Sequence, residues 1–172
     1  MDENLGPLFL KYSIDKLGQL ASRVRDCLDR LTAEQIWQRG CGNENAVGNL
    51  VLHLSGNVRQ WIGSGVAGKP DIRKRDREFA ARGDIEPTEL TARLDAVISE
   101  AIADLRNATP ERLRERVNIQ GYELSVLEAI YHVVEHFAQH TGQIIFAAKQ
   151  LTGEDLGFYR HIGKPAHDEK TP

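Results

Sequence analysis

The sequence predicts an all-α protein, a four-helix bundle with short extra turns. Four long segments place apolar residues at intervals of three and four, the period of an amphipathic helix, and little of the chain alternates as strands do. At 172 residues the chain can bury one core without disulfides. We therefore expect a single bundle over residues 1–157, followed by a polar tail over residues 158–172.

The first half of the chain supplies two of the long helices. Apolar residues recur with helical spacing over residues 5–31, and Thr32 with Gln35 forms a capping-box pattern that predicts a further short turn. The second long helix is expected over residues 46–62. Residues 63–87 are rich in glycine and charge and lack a sustained period, so we interpret them as a long connection.

The second half supplies the other two helices. Pro87 suits the first position of a helix that continues to about residue 107. Ser125 and Glu128 form a second capping box, which predicts a helix start there, and Gly153 is available to end that helix after about Leu151. The tail becomes increasingly polar, and we expect its end to be disordered.

Composition excludes several classes of protein. The chain has 22 Lys and Arg against 25 Asp and Glu, a formal charge of −3, which gives no overall attraction to nucleic acid or an anionic membrane. Its two cysteines, Cys27 and Cys41, form no Cys-x-x-Cys pattern, which disfavours a disulfide framework or a thiolate zinc site. The N-terminus is acidic, and no apolar run approaches the roughly twenty residues that span a bilayer. We expect a soluble cytoplasmic protein.

Three histidines are the strongest functional signal. His136 and His140 lie four residues apart, so on a helix they project in one direction and can bind the same ion. At about 100° per residue they fall at the border of the apolar face, and His53 has a similar border position on the second helix. If the two helices pack together, three imidazoles can meet at one ion and leave a position open for water or substrate. His132 falls outside this border and is the least likely ligand of its helix.

Other readings of these residues stay open at this point. A histidine near a core face is more often a hydrogen-bonded packing residue than a ligand, above all His53 taken alone. Asn57 and Gln143 lie near the same borders, where they could hydrogen-bond the ligands or simply join two helices. No acidic residue stands between His136 and His140, so the His-Glu-x-x-His metalloprotease mechanism is not expected. Glu135 points away from the histidines and is a doubtful general base.

The long connection contains a run of charges over residues 73–78. The run could anchor an anionic substrate, but acidic side chains are interleaved with the basic ones. We favour a solvated segment, or ion pairs that attach the connection to the bundle.

The chain resembles the DinB/YfiT-like superfamily of metal-binding four-helix proteins, and within it an uncharacterised bacterial subgroup. The resemblance lies in residues 49–57, 75–79 and 135–144 together with the order of the helices. It implies an up-down-down-up bundle, frequently dimeric, with a zinc- or nickel-type ion held by His53, His136 and His140. Characterised relatives include transferases and isomerases that use bacillithiol or mycothiol. Better-known members often end the last motif with His-His-Arg-Gly-Gln, whereas this chain has Gln-His-Thr-Gly-Gln and lacks that charge.

These observations lead to three functional hypotheses. The first is an enzyme in which a mononuclear three-histidine metal site activates a low-molecular-weight thiol or water for attack on a small electrophile, as an S-transferase or hydrolase would. The second is a non-catalytic bundle stabilised by metal, with a stress-related or binding role. The third is a metal-free helical binding module.

Dimerisation is a further expectation. Leu127, Val134 and Ile145 form a second apolar strip on the last helix, opposite His136. The strip could contact another helix of the bundle or a second subunit. Partly from the family resemblance, we expect a homodimer.

Overall fold

A computed structural model describes residues 5–164, 168, 170 and 171. It confirms the all-α bundle. The long helices are α1 Leu5–Leu28, α3 Val47–Val58, α5 Pro87–Asn107 and α6 Val126–Thr152, and the short helices are α2 Ala33–Trp37 and α4 Arg75–Ala80. Among the described residues, no helix is long and apolar enough to cross a membrane.

The four long helices enclose one apolar core. Helix α1 packs against α5 and α6, and α3 packs against the same two helices from the other side. Arg30 pairs with Glu154, which brings the C-terminal ends of α1 and α6 together, so these two helices run in the same direction. The core side chains share the inward faces of all four helices and include Leu17, Val24, Leu54, Leu94, Ile130, Phe137 and Ile144.

Sequence signals at the helix ends are confirmed. Thr32 and Ser125 both cap their helices through reciprocal capping boxes, and Pro87 is the first residue of α5. Gly153 ends α6 in the left-handed conformation, with φ 71°, which glycine adopts without steric cost. The signals at Thr32, Ser125 and Gly153 hold because these residues satisfy backbone groups that a helix end leaves unpaired, and the signal at Pro87 holds because it has no N–H to leave unpaired.

The long connection contains more structure than the sequence predicts. Helix α3 continues directly into a π-helix, Arg59–Val66, and the buried Ile62 and Val66 within it belong to the core. A Cβ on Gly65 would come within 2.2 Å of the Ile119 side chain, so this glycine allows a close contact that any larger residue would prevent. The interpretation of residues 63–66 as connection was therefore wrong. The apolar residues of this segment recur with neither the helical period of 3.6 nor the strand period of 2. The side chain of Ile119 packs against the wider turn of the π-helix.

A β-hairpin between α5 and α6 was also missed. Strands β1 Arg116–Ile119 and β2 Tyr122–Ser125 pair antiparallel, following a 3₁₀ turn at Arg112–Arg114. Gln120 and Gly121 connect the strands with φ 55° and 84°, the double positive φ of a two-residue hairpin turn.

The second apolar strip and the tail contact the bundle. Leu127, Val134 and Ile145 are partly buried against the chain's own core. In the tail, Phe158 packs against the same core, and the carbonyl oxygen of Thr171 accepts a hydrogen bond from Gln19. The expected disorder at the end of the tail falls in part on residues 165–167, 169 and 172, which lie outside the described residues.

Candidate metal centre

The structure brings His53, His136 and His140 together. Nε2 of His136 lies 3.1 Å from Nε2 of His53 and 3.2 Å from Nε2 of His140. One nitrogen from each ring lies within 4.8 Å of the others. Two ligands at about 2.0–2.1 Å from a tetrahedral zinc ion are about 3.3 Å apart, so both measured separations suit a shared ion.

His53 is oriented by a buried ion pair. Its Nδ1 lies 3.0 Å from Oε2 of Glu78, whose carboxylate accepts hydrogen bonds of 2.8 Å from both Nε and Nη2 of Arg73. Nδ1 of His53 also lies 3.1 Å from Nη2 of Arg73, which only donates, but Nη2 has its shorter contact, 2.8 Å, with Oε2 of Glu78. We therefore assign the proton to Nδ1 of His53, facing the carboxylate, which leaves Nε2 its lone pair. A carboxylate behind a histidine in this way is a recurrent arrangement around metal ligands.

His140 is oriented in the same manner by Gln143. Nδ1 of His140 lies 2.6 Å from Oε1 of Gln143, one turn further along α6. With the amide oxygen as acceptor, Nδ1 donates, and the Nε2 lone pair of His140 also faces His136.

The resulting lone pairs fit a cation. Nε2 of His136 can donate a proton to His53 or to His140 but not to both, so at least one of its two short contacts lacks a hydrogen bond. If Nε2 of His136 carries no proton, three lone pairs converge. A positive ion among the three nitrogens removes this repulsion. Nδ1 of His136 is buried and has no hydrogen-bond partner among the described residues, so nothing in the described chain commits its tautomer.

Burial lowers the pKa of His136 and of His140, which favours the neutral imidazole that metal binding requires. Desolvation, with smaller contributions from His140 and His53, lowers the pKa of His136 to about 3. The pKa of His140 is also lowered by desolvation, against a hydrogen bond to Gln143 that raises it. For Glu78, burial raises the pKa, but the hydrogen bonds from Arg73 and His53 outweigh it, so the pKa lies below its ordinary value and the carboxylate is charged.

Glu78 reaches His53 because α3 has a glycine at the contact. A Cβ on Gly56 would lie 1.9 Å from Oε1 of Glu78 and 3.0 Å from Nε of Arg73. Asn49, fully buried one turn before His53, fixes the backbone of α4, since its Nδ2 donates to the carbonyl oxygens of Glu78 and Ala81. Gly56 and Asn49 of α3 therefore determine where the Glu78 carboxylate lies.

A hydrogen-bonded chain connects this ion pair to the hairpin. Oε1 of Gln60 accepts from Nη1 of Arg73 at 2.9 Å and from Nε2 of Gln120 at 2.6 Å, and Nε2 of Gln60 donates to Asp71. The hairpin turn thus contributes to holding Arg73 beside Glu78.

The other residues considered from the sequence lie at the edge of the cluster. His132 stacks on Trp61 with ring centroids 4.1 Å apart and is outside the group whose nitrogens converge. Asn57 is buried, and its Oδ1 has no hydrogen-bond partner among the described residues, so it does not hold a ligand ring directly. Glu135 is exposed.

Sequence reasoning missed Glu78 and Arg73 as functional residues. Both lie in the charged run, for which ion pairs with the bundle were one of the favoured readings. The sequence signal that could have identified Glu78 was the resemblance of residues 75–79 to the superfamily pattern. No role was assigned to that segment from the sequence.

A cleft borders the cluster on the side of His140. It has a volume of about 570 Å³ and lies between the segment before α3 and the second half of α6. Gln143 lines the cleft and also contacts His140, and Gln139, Leu50 and Phe146 form other parts of its surface.

Comparisons with known proteins agree with the fold. The sequence model of a family described as "Protein of unknown function (DUF1572)" matches residues 4–162. No curated protein matches the chain significantly.

Several solved structures are similar to this chain. A conserved protein from Enterococcus faecalis superposes with a TM-score of 0.71 at 14% identity, covering 84% of this chain and 97% of the other. DinB-like proteins from Bacillus cereus and Bacillus subtilis give TM-scores of 0.68 and 0.65 at 16% and 13% identity, covering 88% and 84% of this chain and 95% and 93% of theirs. At such identities the likeness establishes the shared fold.

Proposed function

Because the chain belongs to the DUF1572 family, a DinB-like family of unknown function, we propose that it is a metal-dependent enzyme in which His53, His136 and His140 hold one divalent ion. Zinc and nickel are the proposed metals, since neutral imidazoles suit both. The proposed reaction is attack by a low-molecular-weight thiol or water on a small electrophile. The observation that carries the proposal is the convergence of three Nε2 atoms, of which His136 can share a hydrogen with only one of the other two.

A bound divalent ion with an open position lowers the pKa of a coordinated water or thiol and polarises a carbonyl group. The chain's own residues supply orientation. Glu78 and Gln143 hold the Nδ1 protons of His53 and His140, which keeps both Nε2 lone pairs directed at the same point. The ring of Phe79 packs on His53 with centroids 4.9 Å apart and covers that ligand from the side of α4.

Substrate access is proposed through the cleft beside His140. Its volume of about 570 Å³ suits a small molecule, and the carboxamides of Gln139 and Gln143 offer donors and acceptors near the histidines. A thiol co-substrate is proposed from the superfamily resemblance together with these carboxamides, in a lining whose charged side chain is Glu44.

The test begins with elemental analysis of protein purified without chelators or a nickel resin. We expect about one zinc or nickel ion per chain, lost in His53→Ala and His140→Ala and kept in the matched control His132→Ala. Metal-loaded protein is then assayed for conjugation of thiols to small electrophiles and for ester hydrolysis. Turnover that requires His53 supports the enzyme; a fully loaded protein without turnover across a broad panel contradicts it.

A second candidate is a non-catalytic, metal-stabilised bundle. It is favoured by the location of the histidines on two helices, because an ion here would join α3 to α6. Glu78 of α4 contacts His53, so α4 would be joined to the same site. Zinc would then raise the melting temperature by mass action, with no turnover. The same elemental analysis separates both candidates from a metal-free binding module.

We also propose that the protein is a homodimer. Leu5, Leu8 and Tyr12 are exposed and, at spacings of three and four, share one face of α1, which leaves apolar area for a second copy. Sedimentation equilibrium at micromolar concentration should give twice the chain mass. A monomer that persists up to high micromolar concentration contradicts this proposal.

A further inference from the structure

A groove lies on the opposite side of Glu78 from the histidine cluster. Two neighbouring cavities of about 600 and 520 Å³ run along the boundary of α3 and α5, beneath residues 69–74 of the connection. Arg59, Ile72 and Val97 line both cavities, so they form one continuous groove, which we call the α3/α5 groove.

The wider part of the groove has apolar walls. Leu52 of α3 and Val97 of α5 form its floor, and Ile85 closes one side. Ile72 at the rim is 66% exposed, although it is a large apolar side chain in a highly charged segment. An apolar residue in that position gains from contact with an apolar ligand body rather than with water.

The charges around this part of the groove are mainly positive. Arg59, Lys74 and Arg77 line it, and none of them forms an ion pair within the described part of the chain. Arg73 and Arg93 are already paired with Glu78 and Glu89. Asp84 is the carboxylate in the lining without such a pair among the described residues, so three free cations face one free anion.

We propose that the α3/α5 groove binds a small amphipathic monocarboxylate, with its aliphatic body on Leu52, Ile72 and Val97 and its carboxylate between Arg59 and Arg77. An apolar cavity of several hundred cubic ångströms with a few convergent charged groups is typical of small-molecule sites. A carboxylate accepts paired, charge-assisted hydrogen bonds from arginine, which a cationic head group cannot do.

This site is separate from the metal centre but shares a wall with it. Glu78 and Arg73 line the groove on one side, and on the other Glu78 contacts His53. The inference goes beyond the proposed function, since it requires neither a bound metal nor turnover. The charged connection would then anchor an anionic ligand, the alternative that the sequence made secondary to a solvated segment or ion pairs.

The probe is decanoate, titrated calorimetrically into the full chain below its micelle-forming concentration, with decyltrimethylammonium as a probe of opposite charge. We expect saturable binding of decanoate and none of the cation. The double variant Arg59→Gln/Arg77→Gln should weaken decanoate binding at least about tenfold, as lost charge-assisted hydrogen bonds do. Ile72→Asp, at an exposed position, should weaken it similarly without changing the melting temperature. Arg114→Gln, an exposed arginine outside the groove, is the matched control.

A carboxylate can also coordinate a metal, so His140→Ala is included in both metal-loaded and chelated form. Decanoate binding that is unchanged in His140→Ala and reduced in the groove variants supports the site. Binding that disappears in His140→Ala but survives Arg59→Gln/Arg77→Gln overturns it, because the carboxylate would then lie on the metal. Equal binding of the two probes, or no binding of either, also overturns it.

Discussion

Gly56→Ala is the sharpest perturbation of the carboxylate behind His53. The added Cβ would lie 1.9 Å from Oε1 of Glu78, so the carboxylate must move by about 1.5 Å to restore an ordinary contact of 3.4 Å. Glu78 cannot retreat freely, since it is buried and Asn49 holds its backbone. The 3.0 Å hydrogen bond to Nδ1 of His53 is therefore lost.

The expected cost falls on metal binding and on folding. Loss of a hydrogen-bonding partner of a metal ligand weakens affinity by about 10- to 100-fold, or about 1.4–2.7 kcal/mol. Alanine is better than glycine within a helix by about 1 kcal/mol, which offsets only part of the cost of displacing a buried ion pair. We expect zinc affinity to fall, and the metal-free melting temperature to fall as well.

The assay is competition for zinc with a chromophoric chelator, accompanied by thermal unfolding of the metal-free protein. Gly18→Ala in α1 is the matched control, because a Cβ there meets no atom within 4 Å. It should stabilise the protein by up to about 1 kcal/mol and leave zinc affinity unchanged. Wild-type zinc affinity in Gly56→Ala would refute the role assigned to Glu78.

Three further predictions concern the histidine cluster. His132→Ala should retain one metal ion per chain with affinity within about threefold of wild type, because the His132 ring packs on Trp61 and lies outside the converging nitrogens. A larger loss of affinity in chelator competition would identify His132 as a ligand. Gln143→Leu should weaken zinc binding by about tenfold, because Nδ1 of His140 loses its acceptor, and Gln143→Glu should restore or exceed wild-type affinity in the same assay. The metal-free protein should lose stability, by up to a few kcal/mol, as pH falls from about 6.5 towards 3. The reason is that the folded-state pKa of His136 is about 3, so the unfolded chain takes up this proton first. Denaturant unfolding at several pH values measures the loss, which should be shallower in His136→Asn.

Helical periodicity was sufficient to predict the cluster of three histidines. Once two helices are assigned, the angular positions of His53, His136 and His140 follow from about 100° per residue, and the structure confirms that they meet. The partner of His140 was equally accessible, since Gln143 lies three residues further along the same helix.

The partner of His53 could not be predicted in this way. Glu78 lies 25 residues from His53 in sequence, and its position depends on how the connection folds back across Gly56. That path is fixed by long-range contacts, the Asn49 hydrogen bonds and the Gln60 link to Arg73, which leave no periodic trace in the sequence. Asn57 was placed near the histidines by angle alone, and its Oδ1 has no hydrogen-bond partner among the described residues.

The hairpin was missed for a different reason. Its strands have four residues each, and the turn has glutamine where asparagine or aspartate would signal a two-residue turn. Without that signal, a short alternating run before a strong capping box is easily interpreted as irregular chain.

X-ray absorption spectroscopy of the zinc-loaded protein is the most direct test of a shared ion among His53, His136 and His140. We predict three nitrogen ligands at about 2.0–2.1 Å with the outer-shell scattering of imidazole rings, and no such three-imidazole spectrum from His53→Ala, which should not retain the ion. A spectrum dominated by oxygen ligands, or one that is the same in wild type and His53→Ala, would contradict the account.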